Sequence, residues 1–486
     1  MRQVGDDPGS VGEAEPVVQL DPVGRRTVEE FAHVLVGQNE RLGLNTGARL
    51  SSFSRYPWRR WFKLNAISGG AARGLDRVEG VQEGMIERVQ SNERSLTRMP
   101  EAVIVATARS PIGRAFKGSL VDYRPDDLCA FIVRSLLEKV PELDPADVVD
   151  VMIGSANHAG EQGMNEARNI ALLAGLPDSV PGTSVNRFCA SSLQTIRMAF
   201  HAIKAGEGDV FVAGGVESVS RTAGQGFSKE ATNARFTDES RSDFVNHVYI
   251  PMGLTAENVA DRYDVSRSRM DEFAKLSQDR AVEAQRDGSF EREITPVTLP
   301  DGTVVTKDDG PRAGTTVERL GELPPAFRPD GRVTAGNSCP LNDGAAAVLV
   351  MSSEKASSLG RKPLARIVAS SVSGLAPEIM GVGPIEAVKK VLAQSGMAIG
   401  DIDVVELNEA FAAQAIPVCD ELGISIEEQL NPHGGAIALG HPFGMTGARI
   451  MTSLLNDLQM LDKTFGLETM CVGGGQGMAM IVERLS

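Results

Sequence analysis

Asp147-Val-Val-Asp-Val-Met-Ile-Gly-Ser155 and Asp401-Ile-Asp-Val-Val-Glu-Leu-Asn-Glu409 are two versions of one segment. Each is an acidic start, a short apolar run that reads as a buried strand, and a small or polar end. Cys189 follows the first copy 34 residues after Ser155, and His441 follows the second 33 residues after Asn408. Each half then finishes on an apolar strand that meets glycines, Asp209-Val-Phe-Val-Ala213 before Gly214-Gly215 and the strand before Gly473-Gly-Gly475. The first of these strands is expected to stop at its glycine pair. The offset of about 252–258 residues is that of a whole domain, so the pattern implies a duplicated fold with a pseudo-twofold axis, not a solenoid.

Between these marks the pattern is α/β. Ala102 to Ala106 is a short strand run, and Leu128 to Val140 has helical apolar spacing. Asn165 to Ala174 is helix-like, and Leu193, Ile196, Phe200 and Ile203 mark one face of a helix ended by Gly206. Residues 219–330 differ. They are rich in Ser, Arg, Asp, Glu and Gly, with one clear helix from Ser266 through Ala284, and read as an inserted loop region of the kind that covers a binding site.

The chain has 486 residues, 42% hydrophobic and 23% charged, enough for a large core. A net charge of −15 with no sustained basic stripe argues against nucleic acid as the main partner. No apolar run reaches the roughly 18 residues that a membrane span needs. Five scattered cysteines form neither a disulfide framework nor a Cys-x-x-Cys pair, so a reducing, cytoplasmic setting without structural zinc is expected. Residues 1–98 carry 13 Arg, one Lys and both tryptophans, with little apolar periodicity. They read as a disordered, dispensable extension, with Met99 the natural start. The competing reading is an Arg-rich arm that touches a partner.

Four places carry chemistry. Cys189, in Val185-Asn-Arg-Phe-Cys-Ala-Ser-Ser192, opens the helix that runs to Ala205, where unpaired N–H groups and the helix dipole favour a thiolate nucleophile. His441 sits among five glycines in Gly434-Gly-Ala-Ile-Ala-Leu-Gly-His-Pro-Phe-Gly-Met-Thr-Gly447, a tight loop that delivers an imidazole to a helix start. The strand–Gly-x-Gly-x-x-Gly–helix order of a dinucleotide site is missing there. Cys471 precedes Gly473-Gly-Gly475, whose bare N–H groups suit an oxyanion. Asn408, in Asn408-Glu-Ala-Phe-Ala-Ala413, stands at a strand end, where it can hold a water or a carbonyl oxygen.

Together these motifs resemble the thiolases, the acetyl-CoA acetyltransferase and 3-ketoacyl-CoA thiolase group, from about Glu101 to the C-terminus. Gly440-His-Pro442 and Cys471-x-Gly-Gly-Gly475 are the most specific. The resemblance implies a five-layered α/β/α/β/α duplication with an inserted loop domain. It divides the chain into an extension 1–98, an N-terminal thiolase domain 99–218 with 343–362, a loop domain 219–342 and a C-terminal thiolase domain 363–486. Cys189 matches the acylated nucleophile, and His441 the residue that activates it and later holds the enolate oxygen. Cys471 matches the acid/base at the α-carbon. Asn408 matches the residue that positions a water in one oxyanion hole, and the N–H groups of Cys189 and Gly473 match the second hole. Met252 matches a residue of the acyl pocket; Cys339 and Phe411 fall at substrate-binding positions.

Two departures from the family pattern stand out. His433 replaces an Asn before the Gly pair, either as a second titrating group or as a loop residue, and Ser338-Cys-Pro340 replaces Ala-Ser-Gly, which puts a pantetheine contact in doubt. Cys129 and Cys419 match nothing and are expected in the core. CoA is the implied co-substrate, with no metal or permanently bound cofactor. A homodimer or homotetramer is implied, with a hydratase–dehydrogenase partner open. Pro251 before Met252-Gly, where the biosynthetic enzymes carry His, points to thiolytic cleavage of 3-ketoacyl-CoA in fatty-acid breakdown. The alternatives are acetoacetyl-CoA synthesis and a non-enzymatic acyl-CoA-binding or scaffold subunit. Ketoacyl synthase-type enzymes lack the second Cys of the Cys471 motif.

Overall fold

The computed structural model describes residues 100–486, so the expectation for 1–98 lies outside the described residues. In chain order the main elements are β1 (Ala102–Arg109), α1 (Pro125–Glu138), β2 (Asp150–Gly154), α2 (Glu166–Leu173), β3 (Gly182–Val185), α3 (Ser191–Ala205) and β4 (Val210–Ser218). They continue with α4 (Met252–Arg262), α5 (Arg267–Asp287), β5 (Asn342–Ser352), β6 (Ala365–Gly374), α6 (Gly383–Ser395) and β7 (Val404–Leu407). The last are α7 (Ala412–Leu422), α8 (Thr446–Met460), β8 (Phe465–Val472) and β9 (Gln476–Arg484).

The strands order as β7-β8-β9-β6-β1-β5-β4-β2-β3. In the first half β2 is parallel to β3 and β4, and β5 runs antiparallel to both β4 and β1. The second half repeats this: β7 is parallel to β8, and β9 is antiparallel to β8 and β6. A lone parallel bridge, Val405 to Leu430, stands where β3 stands in the first half. The halves join where β1 and β6 pair, Val103 with Arg366 and Ile104 with Ala365. The duplication read from the two related segments is therefore a duplication of sheet topology.

Period-two alternation along the strands builds the layers. Ile104, Phe211 and Ala213 of the first half, and Met478, Met480 and Val482 of the second, share one core with α3 and α8. Their sequence neighbours point the other way. Val103, Val105, Val210 and Val212 meet α1 and α2, and Ala479 and Ile481 meet α6 and α7. The result is α/β/α/β/α, with α3 and α8 as the shared middle layer. Cys129 and Cys419 lie in the two outer cores, as expected.

One expectation needs correction. Gly214-Gly215 does not end its strand; β4 runs on to Ser218. A Cβ at Gly215 would lie 2.0 Å from the Gly444 carbonyl oxygen and 2.7 Å from that of Gly154. The glycine is there because the His441 loop presses on the strand, and this contact spans more than 200 residues of sequence. In the inserted region, α5 starts where Ser266 caps it, its hydroxyl accepting from the Arg269 N–H at 3.2 Å.

Candidate active site

The site forms where the duplicated helices α3 and α8 begin. The Ala448 N–H donates to Ser192 Oγ at 2.9 Å, which ties the two helix starts together. A Cβ on Gly447 would stand 2.3 Å from the Leu193 nitrogen, so only glycine allows this approach. Cys189 lies in a 3-10 turn, Phe188–Ala190, one turn ahead of α3. His441 lies in the loop before α8. The two halves of the duplication thus deliver one candidate nucleophile and one candidate base to the same region.

Cys189 is buried, and burial pushes its thiol up to about 11, against the lowering effect of the Gly473 N–H. The expected thiolate bias from the helix start is outweighed by desolvation. At neutral pH this sulfur rests as a thiol and needs a base. The Gly473 N–H is aimed at it, in the manner of an oxyanion donor.

His441 is equipped to be that base. Its ring is buried, and desolvation together with the Arg449 charge holds it at about 3, so the resting imidazole is neutral. The Thr446 hydroxyl donates to the Pro442 carbonyl at 2.8 Å and therefore accepts from His441 Nδ1–H at 2.7 Å. That places the lone pair on Nε2. Asn408 Nδ2 donates to Nε2 at 3.3 Å, and Asn408 Oδ1 is buried with no hydrogen-bond partner among the described residues. Asn408 and His441 are thus in direct contact.

Three groups to which the sequence motifs gave no role hold this geometry. Glu217, at the end of β4, accepts from the N–H groups of Ala156 and Gly444, at 2.8 and 2.9 Å, and from Gln162 Nε2 at 3.0 Å. Glu409 accepts from Ser277 Oγ at 2.6 Å, Asn431 Nδ2 at 2.8 Å and the Ile437 N–H at 3.2 Å. Asn342 accepts from the His441 N–H at 3.0 Å. Burial raises both carboxyl groups above their ordinary range, against these hydrogen bonds.

Cys471, at the end of β8, is fully buried, and its thiol is raised by burial and by the nearby sulfurs of Cys189 and Cys339. The three thiols therefore lie within electrostatic reach of one another. A cavity of about 490 Å³ opens at Cys189, lined by Phe188, Phe227, Val248, Tyr249, Ile250, Met252, Phe443 and Gly473 among others. Met252, the first residue of α4, is among the lining residues. Cys339 and Phe411 do not line this cavity. The Cys339 N–H bonds the Ala410 carbonyl at 3.0 Å, and Phe411 packs edge-on against Phe327 at 6.0 Å. His433 points elsewhere too, with Nδ1 on Asp457 Oδ1 at 2.5 Å. No helix among the described residues is long and apolar enough to cross a membrane.

Comparison with known proteins agrees with this geometry. Residues 102–354 match the family description "Thiolase, N-terminal domain", and residues 361–484 match "Thiolase, C-terminal domain". The chain is 44% identical over 402 residues to a beta-ketoadipyl-CoA thiolase of Acinetobacter baylyi, covering 80% of this chain and all of that protein. It is 46% identical over 404 residues to a 3-oxoadipyl-CoA/3-oxo-5,6-dehydrosuberyl-CoA thiolase of Escherichia coli, with the same coverage. It is 44% identical over 397 residues to a 3-ketoacyl-CoA thiolase of Bacillus subtilis, covering 79% of this chain and all of that protein. The crystal structure of the Bacillus anthracis acetyl-CoA acetyltransferase superposes with a TM-score of 0.73 at 38% identity, covering 80% of this chain and 99% of that one. With both halves matched, the fold shared and full-length relatives at this identity, the chain belongs to the thiolase family of acyltransferases.

Proposed function

We propose that the protein catalyses CoA-dependent thiolytic cleavage of 3-ketoacyl-CoA thioesters whose acyl chain is apolar, as in fatty-acid breakdown. The observation that carries this reading is the lining of the cavity at Cys189. Its described side chains are aromatic, aliphatic, Met, Ser and Thr, with no charged group among them. Two of the relatives are named for 3-oxoadipyl-CoA, whose acyl chain ends in a carboxylate. Holding that carboxylate against such a lining strips part of its hydration, a cost that no cation among the described lining residues offsets.

In the proposed reaction His441 Nε2 takes the proton of Cys189, and the sulfur adds to the 3-keto carbon. The N–H groups of Cys189 and Gly473 hold the resulting oxyanion. The Cα–Cβ bond breaks, leaving an acyl-Cys189 and the enolate of acetyl-CoA. His441 Nε2–H and a water held by Asn408 face the enolate oxygen, and Cys471 gives its proton to the α-carbon. The Cys471 thiolate then takes the proton of a second CoA thiol, whose sulfur adds to the acyl carbon; the bond to Cys189 breaks, and the Cys189 sulfur recovers its proton from His441 Nε2–H. The two oxyanions arise on different oxygens at different steps, which calls for two sets of donors. CoA is co-substrate throughout. A homo-oligomer fits the exposed end of the sheet, where β3 is the last strand.

The test is a matched pair of six-carbon substrates, 3-oxohexanoyl-CoA and 3-oxoadipyl-CoA, which differ only at the chain end. The apolar substrate is expected to have the higher kcat/KM by about tenfold or more, with activity rising from C4 to longer apolar chains. Preference for 3-oxoadipyl-CoA would overturn the substrate assignment. Activity confined to acetoacetyl-CoA would favour the condensation enzyme.

A further inference from the structure

We propose that Gln414 is the positioning residue of Cys471: its carboxamide accepts from the Cys471 thiol at rest and, turned over, donates to the thiolate once the proton has left. The inference rests on the reading of Cys471 as the acid/base at the α-carbon.

Gln414 is in the first turn of α7, its N–H bonded to the Phe411 carbonyl at 3.1 Å. The side chain is fully buried. Gln414 Oε1 accepts from Cys471 Sγ–H at 3.7 Å, a distance set by the size of sulfur. No other side-chain hydrogen bond reaches that sulfur among the described residues. Gln414 Nε2 is equally shielded from solvent, yet it has no hydrogen-bond partner among the described residues. A buried donor without an acceptor is expensive, and at a reactive site it calls for a partner that exists only during turnover.

The Cys471 thiolate is such a partner. The carboxamide is planar and nearly symmetric in outline, so half a turn about its last bond puts Nε2 where Oε1 stands. Among the described residues, only the Sγ–H contact holds the first orientation. The stem is fixed: a Cβ on Gly381 would stand 2.6 Å from Gln414 Cβ, so backbone presses on it and only the terminal amide is free to turn.

The proton balance follows. In cleavage the S–H bond breaks, its proton joins the α-carbon through the enolate electron pair, and the sulfur keeps its own pair as thiolate. In the reverse direction the thiolate removes that proton. Either way the sulfur becomes charged in a buried place, where Cys189 and Cys339 also oppose the charge. An N–H donor that reaches the sulfur only in that state stabilises it at the step that needs it.

The experiment uses the full chain with Gln414→Met, Gln414→Glu and Cys471→Ala. Two steps are followed separately. Exchange of the acetyl-CoA methyl protons with D2O, read by NMR, reports the Cys471 step. Acylation of Cys189 by acetyl-CoA, read by mass spectrometry of the stopped protein, reports the nucleophile. Gln414→Met is expected to slow exchange by about 10- to 100-fold, to leave acylation within about twofold, and to move the thiolate-dependent limb of the exchange pH profile upward. Gln414→Glu keeps an acceptor but loses the donor when ionised. Its exchange is expected to fall further behind the unsubstituted enzyme as pH rises, a readout that survives if Gln414→Met folds poorly. Cys471→Ala is expected to abolish exchange and leave acylation. Wild-type exchange in Gln414→Met, or equal loss of both steps, would overturn the proposal. Wild-type exchange in Cys471→Ala would overturn the role of Cys471 itself, and a failure at that level is distinct from one confined to Gln414.

Discussion

Thr446→Val is the sharpest test of how His441 is prepared. Valine keeps the shape of threonine and removes the hydroxyl. That hydroxyl donates to the Pro442 carbonyl at 2.8 Å, so at the 2.7 Å contact with His441 Nδ1 it can only accept. Without it, His441 Nδ1–H is buried with no acceptor, at a cost of about 1–3 kcal/mol. The imidazole has a way to avoid that cost. It can move its proton to Nε2, provided that Asn408 turns its amide so that Oδ1 faces the ring. Asn408 Oδ1 has no partner among the described residues to hold it back. The proton then sits on the nitrogen that accepts from Cys189 in the proposed reaction. The base-competent tautomer becomes the minor one by the same 1–3 kcal/mol, so kcat is expected to fall by about 5- to 150-fold. KM should move little, because Thr446 is buried and does not line the acyl cavity. The assay is steady-state thiolysis of a medium-chain 3-ketoacyl-CoA, with the rate of Cys189 alkylation by iodoacetamide followed in parallel. Both rates should fall together, and Thr446→Ser should restore both. Wild-type kcat in a folded Thr446→Val enzyme would refute the tautomer argument. Failure of Thr446→Ser to rescue would assign the loss to packing.

Two further perturbations test the surroundings. Glu166, hydrogen-bonded by the Ser155 hydroxyl, is raised by burial to about 8. The folded state therefore binds a proton that the unfolded state loses near its ordinary value of 4.5. Its contribution to stability is complete below that value and is lost as pH rises towards 8. Glu166→Gln should leave Tm unchanged at acid pH and raise it relative to the unsubstituted protein at pH 8, and a constant Tm difference across that range would contradict the assignment. Gly215→Ala forces a methyl group against the Gly444 carbonyl, where the gap is 2.0 Å. It should cost about 1–3 kcal/mol in stability and, by moving the His441 loop about 1 Å, lower kcat about 100-fold. Gly400→Ala, which meets nothing within 4 Å, is the neutral control; equal kcat in the two variants would show that the loop does not depend on that contact.

What could be read from the chain, and what could not, divides by the range over which each residue acts. The strands and helices were legible because apolar side chains recur every two residues in β4 and on one face of α3, and that spacing is local. Cys189, His441, Asn408 and Cys471 were legible because each stands at the start or end of an element within a short, unusual string of neighbours. Gly215 was misread as a stop because its local meaning is a break, whereas its actual partner is the Gly444 carbonyl on another loop. Glu217, Asn342 and Gln414 were passed over, and Glu409 was left without a role beside Asn408, for the same reason. A carboxylate or amide in a helical or strand pattern ordinarily faces water, and nothing in the residues beside Glu217 says that it collects N–H groups from Ala156 and Gly444. Such groups are the ones that turn a set of motifs into a site. In the proposed reaction His441 acts at Cys189 while Asn342 holds its backbone, Thr446 fixes its proton and Glu217 anchors the loop after it. Each of these contacts crosses elements or turns a tight loop, so each appears only when the two halves of the duplication are brought together. The reactive residues are a local inheritance of each half, whereas their alignment belongs to the interface between the halves.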